Sequence, residues 1–131
     1  LLLYHLSLFA VHFFSIAPVG YMTDFLNKVE KASKIKGTKY IHVIAPCPTG
    51  WGIPVSDTID SAREIADCGL WYLAEYENGE FTLNHDPKEF TSVSDYLKKQ
   101  SRFRHLTDED IQIIIQSRDE KWEKIRRDWR K

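Results

Sequence analysis

The sequence predicts an α/β fold: a parallel-sheet unit, then a β-hairpin, then C-terminal helices. Three observations carry that expectation. An amphipathic stretch over residues 23–37 leads directly into "KYIHVIA" (39–45), a nearly unbroken β-branched and aromatic run that suits a strand covered on both faces. Asn78-Gly79 stands between two short strand-like runs and is the strongest local hairpin signal in the chain. Beyond Ser92 the spacing turns helical. With 131 residues, 43% hydrophobic and 13% aromatic, the chain has material for one domain with a real core.

Taken in order, each element has a local reason. Residues 1–22, "LLLYHLSLFAVHFFSIAPVGYM", form an apolar leader with no acidic or basic residue before Asp24. Its length would permit a membrane span and its core resembles a signal-peptide centre. Against both stand the absence of an initiating Met and of a basic leading region, and the interruption by His5 and His12. The expectation is a buried strand or helix of a larger fold, or a truncated start, and no function is assigned to it. Residues 23–131 are then expected to form the α/β part of the chain. The helix that opens this part has Thr23 as N-cap, Phe25, Leu26, Val29 and Ala32 as its apolar stripe, and Gly37 as its stop.

A second helix begins at Ser56 or Asp57, carries Ile59, Ala62, Ile65 and Ala66 on one side, and ends at Gly69. The hairpin follows, then a short helix around "SVSDYLKK" and the stretch "RFRHL". "TDED" supplies a capping box, with Thr107 as N-cap and Asp110 reaching back. The final helix is expected to be the longest element. Ile111, Ile115, Trp122, Ile125 and Trp129 make a heptad-like seam in which Arg118 takes one position. That is too short for a free coiled coil, so the seam packs on the chain's own body or on a partner subunit. Its basic finish, "KIRRDWRK", suits a solvated helix end or an anionic partner.

Composition excludes several roles. A formal net charge of −1, with no basic block interleaved with aromatics, argues against a nucleic-acid partner. Two cysteines, not spaced as a CxxC pair, make no disulfide framework and suit a reducing cytoplasm.

The candidate site is "IHVIAPCPTGWG", in which Cys47 stands between two prolines at the end of the predicted strand. Open α/β sheets gather ligands at that end of their strands. Pro46 and Pro48 fix the backbone, and Gly50 and Gly52 allow tight turning or close approach. A nucleophile would need a base, and His42 lies five residues earlier without an orienting third group. Zinc would need a ligand spacing that Cys47, Cys68 and the five histidines do not show. An iron–sulfur cluster would have to take its other thiolates from elsewhere. The plain alternative is a small apolar side chain capping a strand. Cys68, beside Gly69, reads as a buried structural thiol, and His42 as a strand residue with a satisfied ring. Arg102, Arg104 and His105 could hold a coenzyme A phosphate or a subunit contact, or make salt bridges within the fold.

"YIHVIAPCPTGWGIP", "ADCGLWYLAEYENGEF" and "YLKKQSRFRHLT" occur in this order, and together they closely resemble the C-terminal part of the β subunit of pyruvate:ferredoxin oxidoreductase (pyruvate synthase) and related 2-oxoacid:ferredoxin oxidoreductases. The resemblance runs from about Thr23 to the end. It implies the C-terminal part of a thiamine-diphosphate-binding type of parallel-sheet domain. In that family the cysteine of this motif, here Cys47, supplies one ligand of a 4Fe–4S cluster. The other three ligands, and the GDG-type segment that holds the magnesium of thiamine diphosphate, belong to an earlier part of the subunit; no GDG triplet occurs here. The resemblance therefore implies a fragment that is inactive alone.

The implied reaction is oxidative decarboxylation of a 2-oxoacid, pyruvate first among them, to its acyl-coenzyme A, with electrons passing to ferredoxin. Its partners would be the other subunits, ferredoxin, the 2-oxoacid and coenzyme A. Gly50 and Trp51 would stand around the cluster sulfurs. The competing expectation is a stand-alone binding or assembly module that keeps the fold without the chemistry.

Overall fold

The computed structural model describes residues 11–129; the side chain of Trp129, and the leader up to residue 10, lie outside that description. Four strands form one mixed sheet in the order β2-β1-β3-β4. Strands β1 (Val11–Pro18) and β2 (Thr38–Ile44) run parallel, joined by helix α1 (Met22–Lys34), and this is the expected α/β unit. Strand β3 (Ala74–Glu77) pairs antiparallel with β1 on its other side, and β4 (Glu80–Leu83) closes the hairpin.

The latter half of the apolar leader is thus the central strand. Phe13, Phe14, Ser15, Ile16 and Ala17 of β1 are all buried, because this strand is paired on both edges. Strand β2 corrects an expectation: it is the edge of the sheet, with Tyr40 47% exposed and Ile41 to Ile44 half-buried. Its β-branched run makes it fit for burial on both faces, but among the described residues no strand pairs with its outer edge.

Helix α1 also departs from its predicted details. It starts at Met22, with Tyr21 in the N-cap position and no side-chain cap, so Thr23 lies inside the first turn. Leu26 and Val29 of the predicted stripe are exposed, while Ala32 and Lys28 are buried. Lys28 can be buried because its ammonium donates to the Ile16 carbonyl at 2.9 Å and to the Asp24 carboxylate at 2.6 Å. Burial still lowers its pKa from the ordinary lysine value.

Past the β2 exit come a one-turn helix α2 (Pro48–Trp51), a 3-10 turn (Val55–Asp57) and helix α3 (Thr58–Asp67). Ser61, Ala62, Ile65 and Ala66 form the buried face of α3; Ile59 stays exposed, so the helix meets the body through a narrower stripe than predicted. The hairpin turn has φ of 51° at Asn78 and 89° at Gly79, the paired positive values that a tight I′ turn requires. Helix α4 (Val93–Lys98) is capped by Ser92, whose hydroxyl accepts the Asp95 N–H at 3.1 Å.

The predicted capping box is present at the start of helix α5 (Asp108–Trp129): Asp110 N–H donates to Thr107 Oγ1 at 3.2 Å, and Thr107 N–H donates to Asp110 Oδ2 at 2.9 Å. The α5 seam packs on the chain's own body, with Ile111 and Trp122 buried. The core joins Ile65, Cys68, Val93, Tyr96, Leu97 and Ile111, so the C-terminal helices close over α3. Among the described residues no helix is long and apolar enough to cross a membrane.

Candidate functional site

The parallel pair positions the site. The exits of β1 and β2 are tied together by the Val19 N–H, which donates to the Ile44 carbonyl at 3.2 Å. The chain then passes Ala45 and the buried Pro46 and presents Cys47, exposed, at the N-cap of α2. Because β2 is a half-exposed edge, Cys47 follows an open strand rather than the buried one the sequence suggested. Pro48 begins α2, where a missing N–H costs nothing.

The turn is closed by its own backbone. Trp51 N–H donates to the Cys47 carbonyl at 2.8 Å, and the amides of Gly52 and Ile53 both donate to Pro48, at 2.8 and 3.1 Å. Gly50 N–H points at Cys47 Sγ, 3.5 Å away. Gly52 has φ of 66° and lies against Ser101, so a side chain there meets both a disfavoured backbone and a steric clash.

Residues 101–103, a 3-10 turn from the "RFRHL" segment, form the floor under this loop. Ser101 N–H donates to the Gly52 carbonyl at 3.2 Å. The Arg102 guanidinium lies 3.9 Å from the Trp51 ring centre and 4.5 Å from that of Phe103. Its Nε donates at 2.9 Å to the side chain of Gln100, which is itself buried. Arg102 is exposed, as are Arg104 and His105, but its guanidinium is engaged by stacking and a neutral hydrogen bond. Trp51 packs on this turn.

The other candidates sit apart from Cys47. The His42 ring packs edge-on against Trp71 at 5.0 Å, with Tyr40 on its other flank at 6.2 Å. Cys68 is fully buried; its thiol donates to the Ile65 carbonyl at 3.5 Å, and burial pushes it up to about 11. Sequence reasoning missed one polar cluster. Tyr21 donates its hydroxyl to Asp67 and lies 3.3 Å from His85 Nε2, joining the β1 exit, the end of α3 and the segment after β4. No local signal could have found it, since Tyr21 stands 46 and 64 positions from its two partners.

Chemically, the loop offers one accessible sulfur on a stiff turn with an N–H donor beside it. Among the described residues no group of three or more His, Cys, Asp and Glu side chains is gathered to hold a metal ion.

No family model matches the chain. Individual proteins do. The chain is 45% identical over 111 residues to pyruvate synthase subunit PorB of Methanocaldococcus jannaschii, covering 85% of this chain and 37% of that protein. It is 41% identical over 113 residues to ketoisovalerate oxidoreductase subunit VorB of Pyrococcus abyssi, covering 85% and 36%. PorB of Methanothermobacter marburgensis is 42% identical over 99 residues, covering 76% and 34%. The chain thus spans little more than a third of the length of these relatives.

Proposed function

From the premise that this chain is a homologue of the PorB and VorB subunits of 2-oxoacid:ferredoxin oxidoreductases, we propose that it is the cluster-ligating C-terminal part of such a β subunit. The intact enzyme would convert a 2-oxoacid and coenzyme A to acyl-coenzyme A and pass the electrons to ferredoxin. Relatives named for pyruvate and for ketoisovalerate match at similar identity, so the substrate class is a 2-oxoacid with a short or branched chain.

The single observation that carries this reading is Cys47 itself, an exposed thiol held at the sheet exit with the Gly50 N–H directed at its sulfur. In the proposed role Cys47 gives one thiolate to a 4Fe–4S cluster, three further ligands coming from the rest of the subunit. Gly50 orients the sulfur by its amide, and Trp51 shields one side of the turn. Hydrogen bonds to ligand sulfur and burial are the protein's means of adjusting such a centre. Thiamine diphosphate, held by another part of the intact subunit, would supply the carbon chemistry of decarboxylation.

The test is a pair of variants in the subunit reassembled around this chain. Cys47→Ser exchanges a soft ligand for a hard one, and the cluster's absorbance and electron paramagnetic resonance signal are expected to be lost or altered. Cys68→Ser, deep in the core, is expected to lower stability and leave the signal intact. A normal cluster signal and normal ferredoxin reduction in Cys47→Ser would return that residue to a packing role.

A further inference from the structure

The "RFRHL" segment exposes Arg102 and Arg104, but the guanidinium of Arg102 already has partners within the fold. It is held from below by Gln100, whose Oε1 accepts from Arg102 Nε at 2.9 Å and whose Nε2 donates to the Tyr96 carbonyl at 3.2 Å. Gln100 is 1% exposed, so this anchor is fixed to the core. The guanidinium plane is thereby aimed between Trp51 and Phe103, with ring centres at 3.9 and 4.5 Å. Trp51 donates its own amide to the Cys47 carbonyl, and the next residue, Gly52, receives the Ser101 amide. A continuous set of contacts thus runs from the core through Gln100, Arg102 and Trp51 to Cys47.

We propose that Arg102 is a positioning residue for Cys47: stacked on Trp51, it clamps the 47–53 loop onto the 101–103 turn and holds the thiol in the geometry in which it ligates. The functional half of this proposal rests on Cys47 being a cluster ligand; the clamp does not. A loop of seven residues with two glycines and no long-range strand pairing has many accessible conformations, and its internal amide bonds fix its shape but not its place on the body. The Ser101–Gly52 hydrogen bond and the Arg102–Trp51 stack are the tertiary contacts that fix that place. Arginine suits the task better than lysine because its flat guanidinium can lie on the indole while its Nε still reaches Gln100.

The clamp is tested on the full chain by hydrogen exchange of the amides of Gly50 to Ile53. Arg102→Ala and Trp51→Leu are each expected to speed that exchange about three- to tenfold, the loss of one partly desolvated cation–π contact. The double variant should exchange no faster than either single one. Trp51→Phe, which keeps a ring under the guanidinium, and Arg104→Ala, an exposed arginine two residues further on, should stay within about twofold of the parent. Exchange over Thr58–Asp67 reports any general loss of fold, and if Arg102→Ala fails to fold, Trp51→Phe against Trp51→Leu decides the matter. In the reassembled cluster-bearing subunit, Arg102→Ala should shift the electron paramagnetic resonance signal while Arg104→Ala leaves it unchanged. Unchanged loop exchange in Arg102→Ala, additive effects in the double variant, or an unshifted cluster signal overturns the proposal. If Cys47→Ser keeps a normal cluster while the exchange results stand, the ligand reading falls and the clamp survives without its function.

Discussion

Trp122 donates its indole N–H to the carbonyl of Gly69 at 2.7 Å, across 53 residues of sequence. The contact is one of three: Arg118 donates to the Cys68 carbonyl at 3.0 Å and Lys121 to that of Leu70 at 3.2 Å. Three successive carbonyls just past α3, those of Cys68, Gly69 and Leu70, are thus met by side chains of α5, which supply the donors that these backbone acceptors need outside regular structure. This explains why an arginine interrupts the apolar seam of α5. Arg118 stands at a seam position and caps a neighbouring helix.

Trp122→Phe should cost on two counts. The smaller phenyl ring leaves a cavity in a fully buried site, and the Gly69 carbonyl is left buried without its donor, the latter a loss of about 1–3 kcal/mol. The expected result is a lower urea midpoint with an unchanged m-value. A midpoint within error of the parent would show that this hydrogen bond contributes nothing net.

Gly52→Ala and Gly50→Ala should have opposite consequences. At Gly52 the positive φ alone costs an alanine about 1–2 kcal/mol, and the Ser101 side chain must also move. At Gly50 the added Cβ makes only ordinary contacts, the nearest being Cys47 Sγ at 3.5 Å, and alanine favours a helical turn by about 0.5–1 kcal/mol. Chemical denaturation of the two variants checks this; equal destabilisation would contradict the assigned geometry.

Stability should decline in alkali partly through Cys68. Burial holds its thiol up at about 11 in the folded chain against an ordinary value of 9.0. As pH rises past 9 the unfolded chain releases this proton while the folded chain keeps it, so folding is favoured below that range and weakened through it. Tyr96, raised to about 12 by burial, acts in the same direction at higher pH. Cys68→Ala should flatten the fall in thermal midpoint between pH 9 and 11. An identical slope in that variant would remove Cys68 from the account.

The chain by itself should associate. Met22, Leu26 and Val29 of α1 are 48%, 56% and 40% exposed, Tyr40 is 47% exposed, and the outer edge of β2 is unpaired among the described residues. Apolar patches and open strand edges recruit other chains. Light scattering in the micromolar range is expected to show oligomers, and Leu26→Lys with Tyr40→Lys to reduce them. A compact monodisperse parent would count against this view.

What was legible in the sequence was local. The Asn78-Gly79 turn and the Thr107–Asp110 box each depend on a few adjacent residues whose φ values and side-chain reach are set by their own chemistry. The Cys47 motif was also legible, through its resemblance to a family. The centrality of β1, the exposure of β2 and the burial of Lys28 were not, because burial depends on which distant segments arrive. The same holds for the site. The sequence by itself determined a stiff proline-flanked cysteine turn following a strand, whereas only the tertiary structure decided that Gln100 and Arg102 sit under Trp51, half the chain away. Backbone stiffness is a property of neighbours along the chain; position is a property of neighbours in space, and these are chosen when the C-terminal helices pack over α3.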